Sequence, residues 1–126
     1  MIRELISAAV AARTHAYNPY SKFAVGAAVH TVQGKIFTGC NIENASFGLS
    51  ICAERVALFK AYSAGQRDII ALAVAAGTDE PAVPCGACLQ VIAELAPKAQ
   101  IIMTNRDGSK VKTSTISELL PLAFKL

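Results

Sequence analysis

Two cysteines, Cys85 and Cys88, stand three residues apart in the segment PCGAC. If a helix begins here, positions i and i+3 share a face, so both sulfur atoms can reach one ion. The free amides at a helix N-terminus also favour the thiolate form that a metal requires. Taken alone, the same spacing suits a redox pair of the thioredoxin type. The segment therefore indicates either a metal site or thiol–disulfide chemistry.

A third thiol, Cys52, opens another predicted helix, and the apolar strand DIIALAVAAG (68–77) separates the two helices. Right-handed crossovers would bring the starts of both helices to the same edge of a sheet. Three thiolates without a fourth protein ligand match a catalytic zinc that keeps one position for water. Cys40 could close the site as a structural one, but it has no paired spacing and is interpreted as a small buried thiol.

Glu54 and Arg55 follow Cys52 directly, within an otherwise apolar run. A carboxylate beside a zinc-bound water can take its proton and deliver it elsewhere. Arg55, three positions after Cys52, can donate hydrogen bonds to the sulfurs and offset their negative charge. The alternative is an ordinary Glu–Arg pair on a helix surface. His15 and His30 have no ligand spacing to any other residue and are interpreted as structural.

Apolar periodicity and turn signals indicate which elements position these residues. The predicted elements are a helix over 2–15, a hairpin of strands 23–31 and 35–39, a helix over 50–66, a strand over 68–77, a helix over 85–97, two short strands at 99–105 and 108–113, and a helical segment at 115–124. Such alternation predicts one three-layer α/β/α domain over residues 1–126, with a mixed central sheet of about five strands.

Composition narrows the classes of protein that fit. The chain has 126 residues, is 53% hydrophobic and carries a formal charge of +3 without a basic run, which argues against nucleic-acid binding. No apolar stretch reaches membrane-spanning length, and the N-terminal segment lacks the features of a signal peptide. We therefore expect a cytoplasmic protein without a membrane partner. The high apolar fraction suggests that some surface is hidden in an oligomer.

Several longer motifs accompany the cysteines in a fixed order. They are PYSKFAVGAA, GCNIENAS, ICAERVALFKA, PCGACLQV and ELLPLAF. In order and spacing, the chain resembles the small homotetrameric, three-cysteine cytidine deaminases over essentially its whole length. The resemblance implies one Zn²⁺ per chain and the hydrolytic deamination of cytidine and deoxycytidine to uridine and deoxyuridine, with release of ammonia, as in pyrimidine salvage.

The resemblance also assigns roles at the metal. Cys52, Cys85 and Cys88 are similar to the zinc ligands of the family. Glu54 is similar to the proton shuttle that deprotonates the zinc-bound water, protonates N3 of the pyrimidine and later helps ammonia to leave. Arg55 would then be the cation that compensates the thiolates.

Substrate-binding residues follow from the same resemblance. Asn41 and Glu43, in NIEN, resemble the pair that binds the ribose hydroxyls, Phe23 the aromatic that packs on the pyrimidine, and the backbone of Ala53 a contact to the base. Three more residues are expected to reach a site across a tetramer interface: Ala45, Phe47 and Phe124. From the residues alone, the NIEN side chains could instead cap the following loop, since Asn and acidic side chains readily bond to nearby backbone.

Two departures from the family pattern are present. Many relatives carry arginine where this chain has Leu89, and tyrosine where it has Phe47. A related deaminase of a modified aminopyrimidine nucleoside, such as blasticidin S, is one alternative, although the intact NIEN favours an ordinary ribose. A non-catalytic zinc domain would leave Glu54 without a purpose. A thiol–disulfide oxidoreductase would leave both Cys52 and Glu54 unexplained.

Overall fold

A five-stranded mixed sheet forms the centre of the protein, in a computed structural model that describes all residues from Met1 to Leu126. The elements are α1 (Ile2–Ala12), β1 (Gly26–Thr31), β2 (Ile36–Cys40), α2 (Ala53–Ser63), β3 (Ile69–Ala75), α3 (Gly86–Leu95), β4 (Gln100–Thr104), β5 (Val111–Thr115) and α4 (Ile116–Leu119), with short 3₁₀ turns at Arg13–His15 and Phe47–Leu49. The strand order is β2-β1-β3-β4-β5, and only β3 and β4 are parallel neighbours. The predicted mixed α/β sheet of five strands is confirmed.

Helices cover both faces of the sheet, as predicted. On one face, α1 buries Leu5 and Ala9 against small and apolar strand residues such as Ala73 and Ile102. On the other face, α2 and α3 bury Leu58 and Ile92 in a larger core. Burial of each such leucine or isoleucine contributes about 1.5–3 kcal/mol, so these two interfaces hold the helices firmly on the sheet. None of the helices combines the length and the apolar character that crossing a membrane requires.

The two crossover connections determine where α2 and α3 begin. Because β2 and β3 both run antiparallel to β1, they point in the same direction, and β4 is parallel to β3. Helix α2 follows the end of β2, and α3 follows the end of β3. Both helices therefore start at the same edge of the sheet, which is the arrangement the sequence predicts for the three thiols.

Some predicted boundaries are wrong by a few residues. The first strand begins at Gly26 rather than at residue 23, because the backbone of residues 23–25 bonds to the Asn41 side chain instead of to β3. The last strand lies at Val111–Thr115 rather than at 108–113, because a turn through Gly108, with φ of 82°, takes up the preceding residues. Helix α4 is a single turn, closed by a capping box between Thr115 and Glu118.

A close backbone approach at Gly39 holds α2 against β2. A Cβ atom added to Gly39 would lie 2.5 Å from the carbonyl oxygen of Ala53 and 2.6 Å from the amide nitrogen of Ala57. Both of these are main-chain atoms and cannot move aside as a flexible side chain would. The absence of a side chain at Gly39 therefore determines how near the start of α2 lies to the end of β2.

We expect the substitution Gly39→Ala to lower the free energy of unfolding by about 3 kcal/mol, because overpacking against backbone has no local relief. Urea-induced unfolding of the variant would measure this change. The matched control is Gly48→Ala, since nothing lies within 4 Å of a Cβ at that position. Similar stability in both variants would contradict the close approach.

Candidate active site

Three thiols meet where α2 and α3 begin. Cys52 is the N-cap residue of α2, Cys85 is the N-cap residue of α3, and Cys88 lies in the first turn of α3. Their Sγ atoms all lie within 4.8 Å of one another, and those of Cys52 and Cys85 are 3.7 Å apart. Cys40, at the end of β2, is only half-buried and does not belong to this group, so the interpretation of it as a buried thiol is wrong in degree.

This group of donors fits a zinc ion. Two sulfurs that bind one tetrahedral zinc at about 2.3 Å lie about 3.8 Å apart, which matches the observed separation of the Cys52 and Cys85 sulfur atoms. The group contains no fourth protein ligand, so one position would remain for a small molecule. All four cysteines of the chain are free thiols rather than disulfides.

The charges around the thiols also favour a cation. Hydrogen bonding with Cys88, and then with Arg55 and Cys85, lowers the pKa of Cys52 to about 5. Hydrogen bonding with Cys52 and burial raise the pKa of Cys88 above its usual range. A negative charge is therefore favoured on the Cys52 sulfur over the Cys88 sulfur. A bound dication supplies the positive charge that ionises all three thiols together.

Arg55 is the cation that contacts this group. Its Nη2 atom donates a hydrogen bond to Sγ of Cys52 at 3.4 Å, as its position on the helix predicts. The contact with Cys52 raises the pKa of Arg55, and its Nε atom is buried without a hydrogen-bond partner. Leu89, on α3, packs into the core, and as an uncharged side chain it gives the thiols no second cation.

Glu54 is a buried carboxyl beside the thiols. It lies in the first turn of α2, where only 4% of the residue is exposed. Burial raises the pKa of Glu54 to about 7. The carboxyl can therefore hold or release a proton near neutral pH, which suits a group that transfers protons.

A cavity of about 320 Å³ opens onto the carboxyl and two of the thiols. This volume lies in the range of small-molecule sites. Its lining includes the residues predicted to bind substrate, namely Phe23, Asn41, Glu43 and Ala53, together with Cys52, Glu54 and Cys85. The structure thus brings together four segments that are distant in the sequence.

The sequence-based predictions did not include the rest of the lining, which is mainly apolar: Ser21, Val25, Val74, Ala76, Ala82, Val83 and Pro84. Two of these, Val74 and Ala76, lie at the end of β3. The others lie in the loops that enter β1 and α3. The position of residues 82–84 directly before Cys85 was the one signal that could have indicated a wall of the site.

Asn41 and Glu43 hold the segment that carries Phe23. The Asn41 amide accepts a hydrogen bond from the Val25 N–H at 2.9 Å and donates one to the Phe23 carbonyl at 2.8 Å. The Glu43 carboxylate accepts hydrogen bonds from the backbone N–H of Tyr20 and of Ser21, and a short one from the Ser21 hydroxyl.

The hydroxyl contact of Ser21 lowers the pKa of Glu43, so this carboxylate is ionised at neutral pH. Asn41 and Glu43 thus bond to the backbone of residues 20–25, earlier in the chain, rather than capping the loop that follows them, and they do so while bordering the cavity.

The three residues expected to act across an interface lie outside the cavity. Ala45 is exposed, and Phe47 and Phe124 are exposed over 74% and 71% of their surface. Phe47 packs edge-on against Tyr20, with ring centroids 5.9 Å apart, and borders a depression that adjoins Glu43. Within one chain these residues do not line the cavity, and their contribution to a neighbouring site stays a prediction.

Residues 1–104 match the family model described as "Cytidine and deoxycytidylate deaminase zinc-binding region". Together with the α/β fold and the group of three thiols, this match shows that the chain belongs to the zinc-binding family of cytidine and deoxycytidylate deaminases.

Individual members of the family are similar to the chain over nearly its whole length. The chain is 54% identical over 121 residues to a cytidine deaminase of Halalkalibacterium halodurans, covering 95% of this chain and 91% of the relative. A crystal structure of cytidine deaminase from Burkholderia pseudomallei superposes with a TM-score of 0.94 at 50% identity, covering 98% of this chain and 99% of that one. A blasticidin-S deaminase of Bacillus cereus is 33% identical, over 96% of this chain and 90% of the relative.

Proposed function

We propose that this protein is a zinc-dependent cytidine deaminase, which hydrolyses cytidine and deoxycytidine to uridine and deoxyuridine and releases ammonia for pyrimidine salvage. The observation that carries the proposal is the buried Glu54 carboxyl, which lines a cavity of nucleoside size together with two of the three clustered thiols. The high identity to cytidine deaminases over nearly the whole chain supports the same activity.

One Zn²⁺ per chain is assigned to Cys52, Cys85 and Cys88. When bound, it supplies the Lewis acidity that makes water nucleophilic at neutral pH. The Glu54 carboxyl takes a proton from the attacking water and passes it to N3 of the pyrimidine. It then takes the second proton of that water from the hydroxyl group now on C4 and delivers it to the amino group, so that C4 becomes a carbonyl as ammonia leaves. A carboxyl with a pKa near 7 suits both directions of transfer.

The walls of the cavity bind and orient the nucleoside. We assign the face of the pyrimidine to Phe23, the edge of the base to the backbone of Ala53, and the ribose hydroxyls to Asn41 and Glu43. The ionised Glu43 carboxylate can accept hydrogen bonds from a diol, and Asn41 retains one amide hydrogen beyond its bond to Phe23. The apolar lining excludes water from the reacting atoms.

We further propose a homotetramer in which Ala45, Phe47 and Phe124 complete the site of a neighbouring subunit. The support is the exposure of large apolar side chains near the rim of the cavity, including Phe47 and Leu49. Sedimentation equilibrium should then give four times the chain mass of 13.2 kDa. A monomer at micromolar concentration would contradict this assembly.

A cytoplasmic location is part of the same proposal. Cys52, Cys85 and Cys88 must stay reduced to bind a metal, and reduced thiols persist in the cytosol rather than in secreted proteins. Cell fractionation should recover the protein with cytosolic markers. Recovery outside the cytosol would contradict this location.

The alternatives have weaker support. Deamination of blasticidin S is the activity named for a relative of only 33% identity, and the ribose-binding pair Asn41 and Glu43 borders the cavity here. A structural zinc domain does not need a buried carboxyl such as Glu54 at its metal. A thiol–disulfide oxidoreductase has no use for the third thiol.

The experiment that tests the function combines two measurements on one sample. Conversion of cytidine is followed by ultraviolet absorbance, and zinc is quantified by atomic spectroscopy. We expect turnover of cytidine and deoxycytidine with one zinc per chain. Zinc without turnover of either nucleoside would favour a modified substrate, and the absence of both would favour redox chemistry at Cys85 and Cys88.

A further inference from the structure

The paired ladder of β1 and β3 ends beside the cavity. Their ladder ends with the pair Gly26 and Ala75. Beyond this pair, Val25 and Ala76 line the cavity on the side of α2. Because successive residues of a strand alternate in direction, Ala24 and Gly77 face the opposite side of the sheet, toward α1. We call this point the strand fork.

The guanidinium of Arg13 occupies the strand fork. Its Nε atom donates a hydrogen bond to the Ala24 carbonyl at 2.9 Å. A Cβ atom placed on Gly77 would lie 2.7 Å from its Nη2 atom and 3.2 Å from the Ala24 oxygen. The half-buried Arg13 side chain, directly after α1, therefore contacts the backbone of both segments just beyond the end of the β1–β3 ladder.

A second arginine, Arg106, bonds to the Gly77 side of the strand fork. Nη1 of Arg13 donates a hydrogen bond to the carbonyl of Arg106 at 3.2 Å. Nη2 of Arg106 donates one to the Gly77 carbonyl at 3.1 Å, and its guanidinium also pairs with Asp79. The turn between β4 and β5 is thereby joined to residues 77–79, which begin the loop leading to Cys85.

These contacts connect two walls of the cavity, formed by residues 23–25 and by Ala76, from the α1 side of the sheet. Phe23 and Val25 flank Ala24, and Ala76 precedes Gly77, so the bond of Arg13 to Ala24 and the bond of Arg106 to Gly77 each act on backbone one residue away from the lining. Arg13 itself lines no part of the cavity and lies on the face of the sheet opposite the thiols. We propose that Arg13 is a positioning residue that sets the separation of these two walls and thereby the fit of the substrate.

The geometry of arginine suits this role. A planar guanidinium presents several N–H donors in fixed directions, so it can hold two carbonyls and pack against a third segment at the same time. Lysine offers a single, mobile point charge and cannot reproduce this arrangement. A glycine at position 77 leaves room for the guanidinium, and its backbone there is not left-handed, so the space rather than the φ angle requires glycine.

The first test is Arg13→Met, which keeps most of the apolar stem and removes every donor. This inference rests on the proposed deamination of cytidine. We expect KM for cytidine to rise about tenfold, kcat to fall less than threefold, and zinc to remain at one per chain, because misplaced binding walls act on substrate fit. The matched control is Arg3→Met, at the opposite end of α1, since Arg3 is exposed and makes no hydrogen bond. A KM within twofold of the unaltered protein, with only the melting temperature lowered, would overturn the proposal.

A second variant changes the strand fork at Gly77, just after β3. Gly77→Ala introduces a methyl group where the Arg13 guanidinium lies, and we expect it to raise KM as well. In the Arg13→Met background, Gly77→Ala should raise KM much less, because the guanidinium that the new methyl group displaces is absent. Full additivity of the two changes would show that Gly77 does not act through Arg13.

Hydrogen exchange distinguishes failure of this inference from failure of the proposed function. In Arg13→Met, the amides of residues 23–25 and 76–84 should exchange faster together, whatever the substrate. If the unaltered protein does not deaminate cytidine, the proposed function fails, and this coupled exchange still decides the role of Arg13. Unchanged exchange in either segment would overturn the positioning role.

Discussion

Replacing Glu54 with glutamine is expected to lower kcat for cytidine by about three to four orders of magnitude, while zinc content and fold are kept. Glutamine has nearly the same shape, but its amide can neither take a proton from water nor deliver one to the base. Because the glutamate is buried and lies at the cavity rather than in an ion pair, its neutral replacement leaves no charge without a partner. The variant should therefore differ from the original protein in proton transfer alone.

Steady-state kinetics, zinc analysis and circular dichroism on one preparation of Glu54→Gln would measure this effect. The matched control is Glu4→Gln, the same change at an exposed position of α1 on the opposite face of the sheet, where activity should stay within twofold. If kcat of the Glu54 variant stays within tenfold of the original, the carboxyl does not transfer the proton. If zinc is lost, the effect belongs to the metal site instead.

The second large effect is expected for Cys85→Ala, which should reduce bound zinc from one per chain to less than a tenth. Removing one of three thiolates leaves too few protein ligands for tight zinc binding, and activity should fall in proportion to the metal. Cys85 is the exposed member of the group, so its replacement by alanine opens no cavity in the core. We therefore expect the fold to survive at room temperature.

Metal analysis after dialysis without chelator would test the ligand assignment independently of activity. Cys40→Ala is the matched control, because it removes a thiol that lies outside the group of three. It should retain one zinc per chain and full turnover. Stoichiometric zinc in Cys85→Ala, or zinc loss in Cys40→Ala, would overturn the assignment.

The centre of the site could be predicted from the sequence because its residues are of types that bind metals or transfer protons. The spacing of Cys85 and Cys88 indicates either a metal site or a redox pair, and the third thiol is what favours the metal. Cys52 joins them because two crossover connections of known hand bring helix starts to one edge of the sheet. Glu54 stands out because a carboxyl within an apolar helix has few structural reasons to be there.

The walls of the cavity could not be predicted in the same way. Ala76 and Val83 are ordinary apolar residues, and only the ends of β3 and α3 determine that they face the cavity. Residues 23–25 look like strand in sequence, but the Asn41 amide bonds to their backbone and removes them from the ladder. The contacts of Arg13 are invisible in sequence because they are made to carbonyls 11 and 93 residues away.

The hydrogen bonds that Asn41 and Glu43 make to the Tyr20–Val25 segment have a consequence for the entropy of association. Fixing the backbone of one residue costs about 1–2 kcal/mol in conformational entropy. In this chain that ordering accompanies folding, because the contacts that hold the segment are made by the chain's own side chains. A nucleoside thus meets a wall that is already in place, and little of its intrinsic affinity is lost to ordering the protein.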